Sequence, residues 1–286
     1  MSSILFGVAG NSDEFAKVSK SSADAQAWLA RTGLDAYEYQ CGKGVRVGQA
    51  TAEKIGRNAA EAGVALSLHA PYFISLANPD PESVRKTIGY VTASCKAARW
   101  MGAQRIVLHS GSLMKRSREE ALAVAMENLA SIVRACDELG YGELTLCPET
   151  MGKINQLGNL EEVLQLCTVD ERLLPCVDFG HLYARSLGEL EGAEACRQML
   201  DRMEEVLGPE RAARFHSHFS KIEFTRKGGE KRHLCFSDPG YGPDFRPLAE
   251  EIARRGWTPW VICESAGTQS EDARTMKRIY QEVCGR

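Results

Sequence analysis

Several protein classes are excluded by what the sequence lacks. No apolar run approaches the roughly 18 residues that a membrane-spanning helix needs, so we expect no membrane partner. None of the ten cysteines forms a C-x-x-C pair, and several lie within strand or helix patterns. This usage favours reduced thiols in a cytoplasmic protein over a disulfide framework. The formal net charge is −3, so nucleic acid could be bound only through a local basic surface or through bound cations.

Two common catalytic and cofactor motifs are also missing. The nucleophile motif G-x-S-x-G does not occur, which leaves serine–histidine hydrolysis poorly supported. Gly7-Val-Ala-Gly10 is not the G-x-G-x-x-G phosphate fingerprint of a doubly wound open sheet. No linker rich in proline, glycine or serine divides the 286 residues. We therefore expect residues 1–286 to form a single domain.

What the chain does have is a regular alternation of short β-rich apolar runs with helical segments. Each of eight predicted strands is followed by a predicted helix. This α/β pattern favours a (β/α)8 (TIM) barrel, with a doubly wound open sheet as the alternative. The βα loops at the C-terminal face of such a barrel carry its active site. The predicted strands are Leu5–Ala9, Asp35–Gln40, Val64–Leu68, Arg105–Leu108, Glu143–Cys147, Leu173–Val177, Ala213–Phe219 and Trp260–Cys263.

Residue types that bind metal ions stand at or just beyond the ends of these predicted strands. A lone histidine is usually a core or surface residue, but all six histidines of the chain share this placement. We therefore predict one polar site at one end of the barrel. Its candidate members are His69, His109, Glu149, Asp178, His181, His216, His218, His233 and Glu264.

This set of ligands predicts more than one metal ion. Mixed imidazole and carboxylate ligands suit Zn2+, Mn2+ or Fe better than Ca2+ or a bare Mg2+ site. Nine candidates exceed the needs of one ion, so we expect two or three ions, with Glu149 bridging a pair. Two such ions favour hydrolysis of a phosphoester. The alternative is a single ion bound by Glu149, Asp178, His216 and Glu264, which would suit isomerisation or epimerisation of a sugar.

His216 and His218 pose a choice, because both lie in the seventh predicted strand. Residues two apart in a strand share a face, so both side chains could point inward. We expect one to bind metal and the other to support it or to lie in the core. The prediction favours His216 as the ligand.

Six short segments, taken in their order and spacing, resemble the endonuclease IV family of abasic-site DNA endonucleases. The resemblance runs from about Phe6 to Gly267, and its Lys221–Phe224 and Gly229–Leu234 stretches are most similar to archaeal or divergent members. Each segment is weak alone, whereas the ordered set is specific. The segments are Leu66-Ser-Leu-His69-Ala-Pro-Tyr72, Val107-Leu-His109-Ser-Gly111, Pro148-Glu149-Thr150, Cys176-Val-Asp178-Phe-Gly-His181, Phe215-His216-Ser-His-Phe-Ser-Lys221 and Ile262-Cys-Glu264-Ser.

The resemblance implies a monomeric, zinc-dependent enzyme of base excision repair. Such an enzyme cuts damaged double-stranded DNA on the 5′ side of an abasic site, using three zinc ions in a (β/α)8 barrel. Glu149, shared by two ions, would be its catalytic residue. Carried over by position, the ligands would be His69, His109 and Glu149 for the first ion; Glu149, Asp178, His216 and Glu264 for the second; and His181 and His233 for the third.

The sequence departs from the family pattern at Lys231. The family has an aspartate there, two residues before its last histidine, as a ligand of the third ion. Either Glu230 or Asp238 could replace it, or the third site is degenerate and the protein binds DNA without cleaving it. The lysine could also neutralise a phosphate. Lys231, the adjacent Arg232 and Tyr72, which matches a family residue that inserts near the lesion, are therefore predicted DNA contacts.

Overall fold

Eight short parallel strands pair edge to edge until the last meets the first, and they form a closed barrel within residues 3–285, which the computed structural model describes. The order around the barrel is β1-β10-β7-β6-β5-β4-β3-β2, which confirms the predicted (β/α)8 architecture. The expected domain of residues 1–286 also includes Met1, Ser2 and Arg286, which lie outside the described residues. The strands are β1 (Leu5–Ala9), β2 (Ala36–Gln40), β3 (Ala65–His69), β4 (Arg105–His109), β5 (Thr145–Glu149), β6 (Cys176–Asp178), β7 (His216–Phe219), β8 (Lys221–Thr225), β9 (Gly229–Leu234) and β10 (Trp260–Cys263).

Helices surround the barrel and bury their apolar faces against it. Local capping chemistry sets where several of them begin: the carboxylate of Asp80 accepts the backbone N–H of Ser83, and Ser117 and Asn159 each form a capping box. The helices are α1 (Asp13–Ala16), α2 (Ala25–Arg31), α3 (Gln49–Ala62), α4 (Pro81–Met101), α5 (Arg118–Glu138), α6 (Leu160–Leu166), α7 (Phe179–Arg185), α8 (Gly192–Leu207), α9 (Pro209–Ala212), α10 (Arg246–Arg255) and α11 (Gln269–Val283).

An antiparallel hairpin, β8–β9, interrupts the regular alternation after β7. The sequence prediction treated this stretch as loop and was wrong, because its run of charged residues hides the alternation of a strand. The hairpin pairs Glu223 with Arg232 but Phe224 with Glu230, so Lys231 is an extra residue that forms a β-bulge. A bulge of one residue changes which side chains share a face of the strand. Glu230 and His233 therefore share a face although they are three residues apart.

Two arginines hold the long loop that follows β5. Arg185, at the end of α7, donates from Nη1 to the carbonyl oxygen of Met151 at 2.6 Å and from Nη2 to that of Gln156 at 2.7 Å. Arg118 binds the Glu162 carboxylate through two nitrogens, at 2.6 and 2.7 Å, and also donates to the Gln156 carbonyl. Because this loop lines the mouth of the barrel, these contacts fix one wall of the candidate site.

All ten cysteines are free thiols. Over residues 3–285, no helix combines the length and the hydropathy that a membrane-spanning segment needs.

We predict that Arg185→Met lowers the free energy of unfolding by about 1–3 kcal/mol, since it leaves the partly buried Met151 carbonyl without its side-chain donor and the Gln156 carbonyl with Arg118 alone. The measurement is equilibrium unfolding in denaturant. Arg134→Met, a change at an exposed arginine of α5, is the matched control and should alter stability by less than about 0.5 kcal/mol. Equal effects of the two changes would contradict the role given to Arg185.

Candidate metal centre

Glu149, at the end of β5, is the meeting point of three imidazole rings. Its Oε2 lies 3.3 Å from His69 Nε2 and 3.2 Å from His109 Nε2, and its Oε1 lies 3.0 Å from His218 Nδ1. The histidines come from the ends of β3 and β4 and from β7. The carboxylate is almost fully buried. The structure thus brings together the predicted residues His69, His109 and Glu149.

A second group shares Glu149 and adds Asp178, His218 and Glu264, with ligand atoms that all lie within 4.8 Å of one another. Asp178 caps α7, because its Oδ1 accepts the backbone N–H of His181 at 2.7 Å. Its other oxygen, Oδ2, is buried and accepts no hydrogen bond among residues 3–285, although His181 Nδ1 lies 3.2 Å away. Glu264, at the end of β10, approaches His218 Nδ1 at 3.5 Å. The group is therefore rich in acceptors that a cation would satisfy.

A third group consists of His181, Glu230 and His233. His181 Nδ1 donates to the Thr150 carbonyl at 2.9 Å, which leaves Nε2 free to bind and 3.6 Å from Glu230 Oε2. His233 Nδ1 is held by the Ser220 hydroxyl at 2.8 Å. The bulge at Lys231 places Glu230 on this face. Of the two replacements considered for the family aspartate, the structure selects Glu230, while the Asp238 carboxylate accepts the backbone N–H of Cys235 instead.

His218, rather than His216, lies in the group around Glu149, whereas the sequence prediction favoured His216 as the ligand; His216 lies in a separate group with Cys176 and His218. Both rings point into the barrel, but they lie at different depths. His216 is level with Cys176 and Trp260, whereas His218 is level with Asp178 and Ile262, one layer nearer the C-terminal ends. His216 Nε2 contacts Glu38 at 2.9 Å and does not belong to the group around Glu149.

Sequence reasoning missed Glu38 and left Glu230 and Asp238 as alternatives. Glu38 lies at an inward-facing position of β2 and is fully buried. Its signal in the sequence is a single carboxylate in the apolar run Ala36-Tyr-Glu-Tyr, which a solvent-facing strand residue would also give. Glu230 is close to His233 in sequence, but the bulge that aligns the two side chains has no clear sequence signature.

Members of all three groups line a cleft of about 350 Å3 that is open at the C-terminal face of the barrel, whereas Asp178 and His218 are not part of its lining. Tyr72 stands at its rim with 49% of its surface exposed, in edge contact with Phe73. Lys231 and Arg232, which are predicted DNA contacts, pair with Glu223 on the exposed hairpin and do not line the cleft. The basic side chain that does line it is Lys153.

The electrostatics of the centre follow from carboxylates and imidazoles buried together. Burial alone would lower the pKa of His69, but its hydrogen bond to Glu149 and the charges of Glu149 and Glu38 raise it to about 9. The charges of Asp178, Glu230 and Glu149 likewise outweigh burial and raise the pKa of His181 to about 9. For Glu149 itself, burial acts upward, but His218 and the other histidines hold the pKa well below its usual range.

These residues fit divalent metal ions. Imidazole nitrogens and carboxylate oxygens in this ratio are the ligands of Zn2+, Mn2+ and Fe2+ sites. His69 and His181 each donate the N–H of Nδ1 to a backbone carbonyl, that of Ala70 and Thr150 respectively, so Nε2 is the nitrogen that can bind an ion once it has lost its proton. The buried Asp178 Oδ2, which accepts no hydrogen bond among the described residues, points to the same use. The chain is thus a (β/α)8 barrel with a candidate polynuclear metal centre.

Comparison with known proteins places this barrel in a family. The model of the xylose isomerase-like TIM barrel family matches residues 26–282, and the chain belongs to that family. An uncharacterised protein of Methanocaldococcus jannaschii is 31% identical over 284 residues, which is 98% of each chain. A probable endonuclease 4 of Acholeplasma laidlawii is 29% identical over 203 residues, covering 68% of this chain and 67% of that protein. The resemblance predicted from the sequence motifs is confirmed.

Solved structures confirm the fold but do not separate the functions it carries. Endonuclease IV from Thermus thermophilus superposes with a TM-score of 0.68 at 18% identity, covering 98% of this chain and 99% of that chain. A D-tagatose 3-epimerase-like protein superposes with a TM-score of 0.71 at 17% identity, covering 99% and 98%. At these identities the likeness concerns the fold, which hosts different reactions.

We predict that metal affinity rises with pH up to about 9. In the metal-free protein His69 and His181 have pKa values of about 9, so each must lose a proton before its imidazole binds an ion. Each displaced proton strengthens apparent affinity about tenfold per pH unit below that pKa. Chelator competition at about pH 6.5 and 8.5, with proton release followed in weak buffer, measures this. Constant affinity across the interval would contradict the assignment of these histidines as ligands.

Proposed function

We propose that this protein is a metal-dependent endonuclease that hydrolyses the phosphodiester 5′ to abasic sites in damaged double-stranded DNA, acting as a monomer in the cytoplasm. The observation that carries the proposal is the third group, His181, Glu230 and His233, beside the two groups that share Glu149. His181 Nδ1 is 3.5 Å from Glu149 Oε1, so the three groups adjoin. Three adjoining groups of metal ligands suit a phosphate, because ions bound at the groups would contact several of its oxygens at once.

The chain's own residues support this chemistry. Divalent ions bound here would activate water near neutral pH and offset the charge that develops on a phosphate. The lowered pKa of Glu149 keeps its carboxylate ionised, and this residue belongs to both the first and the second group. Lys153 lies in the cleft wall, where it can pair with a DNA phosphate. A cleft of about 350 Å3 suits an extruded abasic sugar, which has no base to accommodate.

Epimerisation or isomerisation of a sugar is the second candidate. The fold is as similar to an epimerase-like protein as to endonuclease IV, and Glu149, Asp178, His218 and Glu264 alone would serve a single ion. That reaction leaves no role as ligands for His69, His109 or the third group. The remaining alternative, a DNA-binding protein with a degenerate third site, rested on Lys231. Glu230 supplies a carboxylate to the third group, and this counts against that alternative.

We expect the metal-loaded protein to nick a duplex that carries one abasic site and to leave the intact duplex uncut. His233→Ala should lower the cleavage rate about 100- to 1000-fold, the usual effect of losing one group that stabilises transition-state charge. It should also remove one ion per chain in elemental analysis. Gel assays of labelled duplex provide the rate.

The outcome that would reject the endonuclease is a protein that holds its ions yet leaves the abasic duplex intact. Turnover of a free sugar by that same preparation would support the epimerase. Arg134→Met, remote from the cleft on α5, should cleave at the rate of the parent protein.

Tyr72→Ala should weaken binding of the abasic duplex. An exposed ring at the rim of the cleft can stack on a neighbouring base, which contributes about 1–3 kcal/mol, or roughly 5- to 150-fold in Kd. Leu139→Ala removes a comparably exposed apolar side chain just beyond the C-terminal end of α5, at the other end of the barrel, and is the control. Titration of a fluorescent duplex by anisotropy measures both. Unchanged binding by the Tyr72 variant would remove this residue from the DNA contacts.

A further inference from the structure

The fully buried carboxylate of Glu38 lies beneath the metal-binding groups and is in hydrogen-bond contact with three polar side chains. Ser67 Oγ donates to Oε2 at 2.9 Å, and Gln40 Nε2 donates to Oε1 at 3.1 Å. His216 Nε2 contacts Oε2 at 2.9 Å. A carboxylate that accepts from this many groups is held in one orientation. Its Oε1 consequently faces the remaining neighbour, His218.

His218 connects Glu38 to the centre. Its Nε2 lies 3.0 Å from Glu38 Oε1, while its Nδ1 lies 3.0 Å from Glu149 Oε1 and 3.5 Å from Glu264 Oε2. The Nε2 contact is short but is not aligned as a hydrogen bond, whereas Nδ1 forms a hydrogen bond with Glu149. One ring nitrogen therefore faces a carboxylate outside the ligand groups, and the other faces the ligands themselves.

Other histidines of the centre show the same division of their two nitrogens. His69 and His181 each contact a carbonyl oxygen through Nδ1, and His233 contacts the Ser220 hydroxyl through Nδ1. In each case Nε2 is left for the cleft. His218 is turned the other way, with Nδ1 toward the ligands, and its partner is a carboxylate instead of a neutral group. A carboxylate partner raises the basicity of the imidazole that binds the ion.

His216 completes the arrangement from below. It occupies the layer under His218, and its Nδ1 has no hydrogen-bond partner among the described residues. Its Nε2 engages the Oε2 atom of Glu38, which leaves Oε1 directed at His218. The first histidine of the His216-Ser-His218 pair thus acts on the second through the carboxylate between them.

We propose that Glu38 is a positioning residue of the metal centre. It holds His218 with Nε2 protonated, so that Nδ1 serves as the ligand beside Glu149, Asp178 and Glu264, and His216 and Ser67 fix Glu38 in turn. This rests on the metal binding that the proposed function requires, but it does not depend on which reaction the centre catalyses.

Glu38→Gln tests the role, because it keeps the size of the side chain but replaces one acceptor oxygen with a donor. We expect the ion at the group of Glu149, Asp178, His218 and Glu264 to bind about 10- to 100-fold more weakly in zinc competition with a chelator. Glu143→Gln, a change at an exposed carboxylate on the opposite face, is the control and should bind zinc like the parent protein. Parental affinity in the Glu38 variant would overturn the proposal.

A measurement on the unaltered chain keeps the proposal testable if that variant fails to fold. With nitrogen-15 histidine and bound cadmium-113, we expect scalar coupling of the metal to Nδ1 of His218. Coupling to Nε2 of His218, coupling to either nitrogen of His216, or the absence of bound metal would each overturn it. Failure to cut abasic DNA by a protein that shows the expected coupling would reject the endonuclease and leave the role of Glu38 intact.

Discussion

The buried carboxylate of Glu149 is the constraint on which the centre depends. Three imidazole nitrogens from three strands lie within 3.3 Å of its two oxygens. Burying a carboxylate is costly unless positive or polar hydrogens surround it. The register of the strands places such hydrogens beside the carboxylate, because His109 is the direct strand partner of Glu149 and His69 lies on the next strand. The need to surround the buried Glu149 carboxylate therefore constrains the positions of the other ligands.

In the metal-free protein, protons offset the negative charge in a place suited to cations. Asp178, Glu264 and Glu38 join Glu149 in one small volume, and His69 and His181 respond by holding protons more tightly. This is why the pKa values of His69 and His181 rise to about 9 despite burial. An ion that displaces these protons restores the balance of charge. The raised pKa values and the buried Asp178 Oδ2, which accepts no hydrogen bond among the described residues, are thus two consequences of the same excess of acceptors.

The fold could be predicted from sequence because its signals are local, whereas the centre depends on distances between strands. Capping residues such as Ser117 and short apolar runs specify helix and strand positions without reference to the rest of the chain. The choice between His216 and His218 is different, since it is set by the register of β7 against β6 and β10. Glu38 was missed because a carboxylate within a strand reveals its face only after the barrel has closed.

The hairpin after β7 shows how a departure in sequence can preserve a site in space. Lys231 stands where the resemblance expects an aspartate, and by strand parity Glu230 would face away from His233. The bulge places Glu230 on the same face as His233, and the glutamate side chain, which is longer than that of aspartate, reaches His181. The third ligand group therefore has a carboxylate, although the aspartate of the family motif is absent. Because the epimerase-like and endonuclease-like barrels are equally similar in backbone, it is this group that favours phosphodiester hydrolysis over sugar chemistry.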